Sequence, residues 1–459
     1  RCRYSGLLMS VIGHSPLAGA SGAAGGDSGP LYVDDVFSTF LYDGNGSTQS
    51  IDNGINISGK GGLVWLKNRS SHIYGGLWDT ERGANKRLRS DSNIAEATVN
   101  NILTSFNSNG FSISTTGGTQ VNDSGENYAS WTFRKAPGFF DVVTYSGTGS
   151  AQNISHSLGS VPGMIIIHCR DGTHDWEVYH RATGATKSLH LNKTDAEATD
   201  STVWNNTTPT SSVFTIGTSS NVNQNGHGYV AYVFAHDEQA FGTDEDEAII
   251  KCGSYTGTGS ANNFVNVGFE PQFLLTKSAG GNDPWSIVDV MRGMSIGSDM
   301  SVLRPNYNSA EYTDNTTYPT STGFNITNTG GLNNDNGRTY IYMAIRRSHK
   351  SPTAGTEVFA MDTGSSSSTT PTWDSGFTVD MSFVVHPNSG SMNNMSSARL
   401  LGRKLLYTNN TDAEAANSSF TWDSNVGWGK DYNNNAYSYM YRRAPGFLDV
   451  VAYTGTGSN

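Results

Sequence analysis

Cysteine, charge of either sign and long apolar runs are all scarce in this 459-residue chain. Three cysteines, Cys2, Cys169 and Cys252, are too few and too far apart for a disulfide framework or a cysteine-based zinc module, and they read as small buried residues or loose ends. Charged residues make up only 15% of the chain and glycine fills 53 positions, which sets aside both a charge-driven disordered protein and a long coiled coil. The net charge is −11, and no basic cluster exceeds the short group Arg346, Arg347 and Lys350, so the chain offers no electrostatic grip on nucleic acid. Its longest apolar run, residues 229–235, is far below the ~20 residues that a membrane-spanning helix needs. Aromatic side chains, by contrast, are plentiful: 49 Phe, Trp and Tyr residues can pin small sandwiches together.

An internal repeat organises the sequence. Ala136-Pro137-Gly138-Phe139-Phe140-Asp141-Val142-Val143-Thr144-Tyr145-Ser146-Gly147-Thr148-Gly149-Ser150 returns almost unchanged at 444–458. Residues 255–260 are a third copy of its end, and residues 42–47 a diverged first. Other landmarks keep their order within each unit. An apolar strand (63–66, 164–167, 273–275, 381–385) precedes an aromatic-to-Arg/Gly segment (78–83, 176–184, 285–293). Then comes a leucine with an Ala-Glu step: Leu88 with Ala95-Glu96, Leu189 with Ala196-Glu197, Leu303 with Ala310-Glu311, Leu406 with Ala413-Glu414. An Asn-rich turn and an alternating aromatic strand close each unit, and in the third unit Asn336-Gly337 suggests a type I′ hairpin.

Strand-sized apolar runs separated by Gly, Asn, Ser and Thr, with almost no 3.6-residue period, predict an all-β chain of tandem antiparallel β-sandwiches of about 100 residues each. The predicted units are 32–142, 143–251, 252–352 and 353–446, after a flexible Gly/Ala-rich leader over 1–31. The region 195–199 and its counterparts are read as one short helical turn per unit. Residues 447–459 copy an opening strand, which either starts a further unit or completes another subunit.

Several motifs imitate chemistry without its context. Gly26-Asp27-Ser28-Gly29-Pro30 matches the surroundings of a protease nucleophile, but too little chain precedes it to supply the histidine and aspartate. Residues 54–61 have the spacing of a phosphate loop, yet Gly61 stands where a hydroxyl should meet magnesium, and a strand follows. Seven of eleven histidines fall in the second unit; His174, Asp175 and His180 form the best local trio, though no pair has metal-ligand spacing on a helix or strand. Residues 244–247 are an acidic interdomain turn that could also suit calcium. No catalytic residues, cofactor or metal site are assigned.

The runs Leu63-Val64-Trp65-Leu66-Lys67-Asn68-Arg69, Asp79-Thr80-Glu81-Arg82-Gly83, Ser105-Phe106-Asn107 and 131–141 resemble a repeat domain of virion structural and tail-fibre-like proteins of marine tailed phages, especially cyanophages. The resemblance extends from about residue 32 to 459. It implies a virion appendage or surface protein built of concanavalin A-like jelly-roll sandwiches. The repetition motivates the first functional reading, a non-enzymatic, homo-oligomeric protein that meets other virion proteins and presents a binding surface for a host-surface glycan. The fourth unit departs most, lacking the aromatic-Arg-Gly segment and carrying a low-complexity stretch over 364–370. Binding is expected on residues that break the repeat: Trp422, Trp428 and Tyr432, with Asp431 supplying hydrogen bonds, are the candidate sugar-stacking set, against the alternative that these rings fill a core. A glycan-degrading enzyme and a capsid-decorating or head-fibre protein without ligand are the competing readings.

Overall fold

One strand arrangement occurs four times. In the first unit the main sheet orders its strands Phe37–Asp43, Asn127–Arg134, Gly62–Asn68, Gly76–Asp79, all antiparallel. The second repeats it with Phe140–Ser146, Gly228–Phe234, Met164–Cys169 and Glu177–His180. The third uses Ile250–Thr256, Thr339–Arg346, Pro271–Ser278 and Ser286–Asp289. The fourth uses Phe359–Asp362, Tyr437–Tyr441, Met381–Val385 and Met395–Ala398. These come from a computed structural model that describes residues 29–114, 120–296, 300–314, 316–364, 371–387, 392–430, 432 and 436–452. The all-β, antiparallel class read from the sequence is the class observed.

A smaller sheet faces each main sheet, for example Gln49–Asp52, Gly110–Ile113 and Leu103–Asn107 in the first unit, where Ile51, Val64, Trp78, Phe111 and Tyr128 form the sandwich core. The repeated tyrosines serve this architecture. Tyr42, Tyr145 and Tyr255 stack on Tyr128, Tyr229 and Tyr340 at 5.1, 5.2 and 5.2 Å. Their hydroxyls donate to the carbonyls of Val121, Val222 and Asn333. Buried Asn122, Asn223 and Asn334 donate to the carbonyls of Ser47, Ser150 and Ser260, tying down the Gly-rich turn after each opening strand.

Three sequence readings need correction. Phe140–Ser146 pairs throughout with Gly228–Phe234, and Ile250–Thr256 with Thr339–Arg346, so the breaks proposed at 142/143 and 251/252 cut through opening strands. The second and third units begin at about residues 140 and 250. Asn336 is not among the residues with positive φ; Gly337 alone has one (74°), and Arg338 N donates to Asp335 O, so this is a simple turn leading into a strand rather than a type I′ hairpin. The Ala-Glu step is extended, not helical: Ala198–Thr199 is a strand, and the short helix follows it at Ser201–Trp204.

The first three units close into a ring, and the Ala-Glu step is the clasp. Glu96 N donates to Arg170 O (2.7 Å), Glu197 N to Ala279 O (2.8 Å) and Glu311 N to Arg69 O (2.9 Å), carrying the contact from unit one to two, two to three and three back to one. Three residues at one matching strand position repeat the cycle. Lys67 Nζ donates to Tyr307 O, His168 Nε2 to Ile94 O (3.0 Å) and Lys277 Nζ to Thr194 O (3.1 Å). Burial lowers the pKa of both lysines to about 8. Around the axis, Phe133, Phe140, Phe234 and Phe273 pack edge to face and tilted, with centroids 5.0–6.4 Å apart.

This closure buries the main sheets on both faces. Strand Gly62–Asn68 is buried at every residue, as is Met164–Cys169. An antiparallel sheet with one wet face alternates instead, and the fourth unit does so: Met381–Val385 and Tyr437–Tyr441 each alternate half-buried and buried.

Candidate functional site

The rings proposed to stack on sugar are inside the fourth unit. Trp428 is fully buried and Trp422 nearly so; they stack on each other at 4.6 Å, and Trp373 covers the other side of Trp428 at 4.9 Å. Their indole N–H groups are spent on Ser438 Oγ and Gly402 O. Neither tryptophan keeps a face open to a ligand, because this unit fills its sandwich with indoles. Tyr432 lies at the edge of the same cluster, with its hydroxyl 3.2 Å from His386 Nε2. Asp431 lies outside the described residues.

The fourth unit leans on the junction of units one and three through charge. Arg443 makes a bidentate pair with Glu270 (2.7 and 2.8 Å), and Arg442 donates to Asp34 Oδ1 (2.9 Å). Asn425 Nδ2 donates to Leu41 O, and Ile296 N to Leu400 O. Clefts of about 450 and 530 Å³ flank these contacts. In the first, Asp34, Glu270 and Asp380 each face an arginine: Arg442, Arg347 at 3.3 Å and Arg399 at 3.7 Å. Such pairing braces an interface.

The histidine trio of the second unit does not assemble. His180 is buried and donates through Nε2 to Tyr342 O, while Asp175 is taken by Asn192 and Lys193. A different group gathers: ligand atoms of Cys169, His174 and His227 lie within 4.8 Å of one another. Cys169 ends a buried strand, His174 sits in the following loop, and His227 precedes the closing strand. Asp171 Oδ1 accepts from His227 Nδ1 at 2.8 Å and from Cys169 Sγ at 3.5 Å. Gly172 makes the approach possible, since a Cβ there would lie 2.8 Å from the His174 ring and 3.2 Å from Cys169 Sγ. Helix and strand spacings could not reveal this set, because its members come from a strand end, a loop and a turn 58 residues apart. In the acidic turn, Glu247 pairs with Arg346 at 3.0 Å and His349 at 3.1 Å.

The fourth unit also exposes what its siblings bury. By strand register, Leu406 corresponds to Leu88, Leu189 and Leu303, which are at most 1% exposed, yet Leu406 is 46% exposed. Phe359 and Met361, on its opening strand, are 41% and 54% exposed.

Among curated proteins no sequence matches this one. One similar solved structure is titled "Crystal Structure of the STIV MCP"; it shares 8% identity, covering 45% of this chain and 95% of that one, with a TM-score of 0.17, a likeness that carries no argument. A family known as a domain of unknown function, DUF7483, matches residues 33–349. That span coincides with the closed ring, from the helix Val33–Val36 to the end of the third unit, and leaves the fourth outside it. The match covers well over half of the sequence, and the chain belongs to the DUF7483 family.

Proposed function

We propose that the chain is a non-enzymatic structural protein of a virion surface, of tail-fibre or appendage type, which contributes to host-surface adhesion. The observation that carries this reading is the ring itself. Positions shared by the units are consumed in architecture, the stacked tyrosines within each module and the Ala-Glu clasps between modules. The acids of the inter-unit cleft are engaged by arginines, as in a brace. Several modules presented together turn weak contacts into avidity without new chemistry, which suits a particle surface. The phage-like repeat read from the sequence supplies the location.

Immunogold labelling of phage particles encoding the chain tests it. Gold is expected on intact virions, at the tail or an appendage; gold over the head would favour the decorating alternative. Unlabelled particles, with the antigen free in the lysate, would overturn the proposal.

A further inference from the structure

We infer that the fourth unit is a trimerisation module, whose open face meets the same face of two other copies of this chain. The evidence lies in what matching residues do elsewhere in the molecule. Phe383 stands where Trp65, Ile166 and Leu275 stand, and Tyr441 where Phe133, Phe234 and Ile345 stand. In units one to three those positions are fully buried in the shared core. In unit four both are half-exposed, joined by exposed Phe359, Met361 and Leu406. Phe359, Phe383 and Tyr441 form an aromatic cluster, with centroids 5.2 and 6.1 Å apart, and Lys404, on the same strand face as Leu406, is paired with Glu414.

Polar and charged positions of the ring have become apolar there. Val385 replaces Lys67, His168 and Lys277, and Ala398 replaces Asp79, His180 and Asp289. The clasp residue is present, and Glu414 pairs with Lys404 as Glu96 and Glu197 pair with Lys86 and Lys187, but among the described residues its N–H makes no bond to another unit. By register its N–H would donate to the exposed carbonyl-bearing Pro387 of the next copy, as Glu96 does to Arg170. A contiguous aromatic face of this kind marks an association surface, and this module closes in threes. The occupant is therefore a second and third copy, related by true threefold symmetry. The proposal stands independently of any virion location.

Sedimentation velocity on the full chain at micromolar concentration tests it. The expected particle has three times the 49.2 kDa chain mass. Phe383→Asp and Tyr439→Asp, at half-exposed positions, should each give a monomer with unchanged near-ultraviolet circular dichroism. A monomeric or dimeric natural chain overturns the proposal, as does a trimer that survives both substitutions.

A separate observation carries a second proposal. We propose that Cys169, His174 and His227 bind a zinc-class divalent cation, with Asp171 as a positioning residue acting through His227. Thiolate and imidazole donors select zinc over calcium or magnesium. Zinc distances of about 2.0–2.3 Å place the donors of one ion within about 4 Å of each other, and ligand atoms of the three residues already lie within 4.8 Å of one another; with Nδ1–H held by Asp171, His227 ligates through Nε2. The Asp171–His227 hydrogen bond is the outer-shell contact that fixes a ligating imidazole. Binding releases the Cys169 thiol proton to solvent.

Titration of the full chain with cobalt(II) is expected to give one equivalent bound, with a thiolate charge-transfer band displaced by zinc. Cys169→Ser should abolish the band. His174→Ala, a half-buried loop change, should weaken binding without altering the fold. Asp171→Asn should cost about 10–100-fold in affinity. Absence of stoichiometric binding, or a charge-transfer band that persists in Cys169→Ser, would overturn the site.

Discussion

Arg82→Leu is expected to lower the stability of the ring by about 3–5 kcal/mol, the cost of stranding a buried charge. Arg82 and Asp79 have no exposed side-chain surface and meet at 2.6 Å. Arg82 also donates to Leu77 O, to Glu96 Oε2 and to Tyr232 Oη, so one guanidinium joins units one and two. Burial opposes its charge, but Asp79, Tyr232 and Glu96 outweigh that and raise its pKa above the ordinary arginine value. Leucine would leave the Asp79 carboxylate buried with only the Arg82 N–H and the Tyr232 hydroxyl as donors. The junction of units two and three does without this ion pair: Met343 occupies the position of Tyr232 and His180 that of Asp79. Asp79→Leu and Tyr232→Met, added to Arg82→Leu, should therefore recover most of the loss, since replacing a whole buried polar group with apolar residues is often close to neutral. Urea unfolding followed by tryptophan fluorescence measures both. A loss below about 1 kcal/mol for the single variant, the level of an ordinary surface pair, would refute the account.

The repeat made the modules legible because a residue that packs within its own unit must recur with that unit. Tyr145 and Tyr255 recur because each stacks on a tyrosine of its own closing strand. Glu96, Glu197 and Glu311 recur equally well, but their partners are carbonyls of the next module, and sequence order does not say that the third module returns to the first. The ring was therefore hidden, although its clasp was in plain view. Departures from the repeat proved ambiguous for a related reason. Trp422 and Trp428 differ from the other units because the fourth fills its core with stacked indoles. The informative departure was subtler. Met164-Ile165-Ile166-Ile167 is apolar at every residue and buried on both faces, whereas Tyr437-Ser438-Tyr439-Met440-Tyr441 alternates and keeps one face half open.

Acid should open the ring at the second unit. His168 lies against Trp176, with centroids 4.2 Å apart, and donates through Nε2 to Ile94 O; its Nδ1 is buried with no partner among the described residues. Burial, then Arg82 and His174, lower its pKa to about 3 against a hydrogen bond that raises it. His180 donates through Nε2 to Tyr342 O while its Nδ1 accepts from Ala182 N–H, and burial lowers its pKa to about 4. A second proton on either ring has no acceptor waiting for it. Both folded values lie below the ~6.5 of an unfolded histidine, so the unfolded chain takes the proton first. The stabilisation is full above about pH 6.5 and is lost as pH falls toward those folded values. By linkage each histidine costs about 2 kcal/mol at pH 5 relative to pH 7.5, a window in which ordinary carboxylates stay ionised. His190 works in the opposite sense: burial lowers its pKa, but Glu177 more than offsets this, so it contributes below pH 6.5 and offsets part of the loss. His168 and His180 together should account for about 4 kcal/mol of the fall in stability between pH 7.5 and 5.0, to which His156, His236 and His349, whose pKa values burial also lowers, add. In His168→Gln with His180→Asn, whose amides can still donate to Ile94 O and Tyr342 O, the drop should shrink by that amount. An equal drop in the double variant would place the acid sensitivity elsewhere, on half-buried histidines such as His236 rather than on the two that join the second unit to its neighbours.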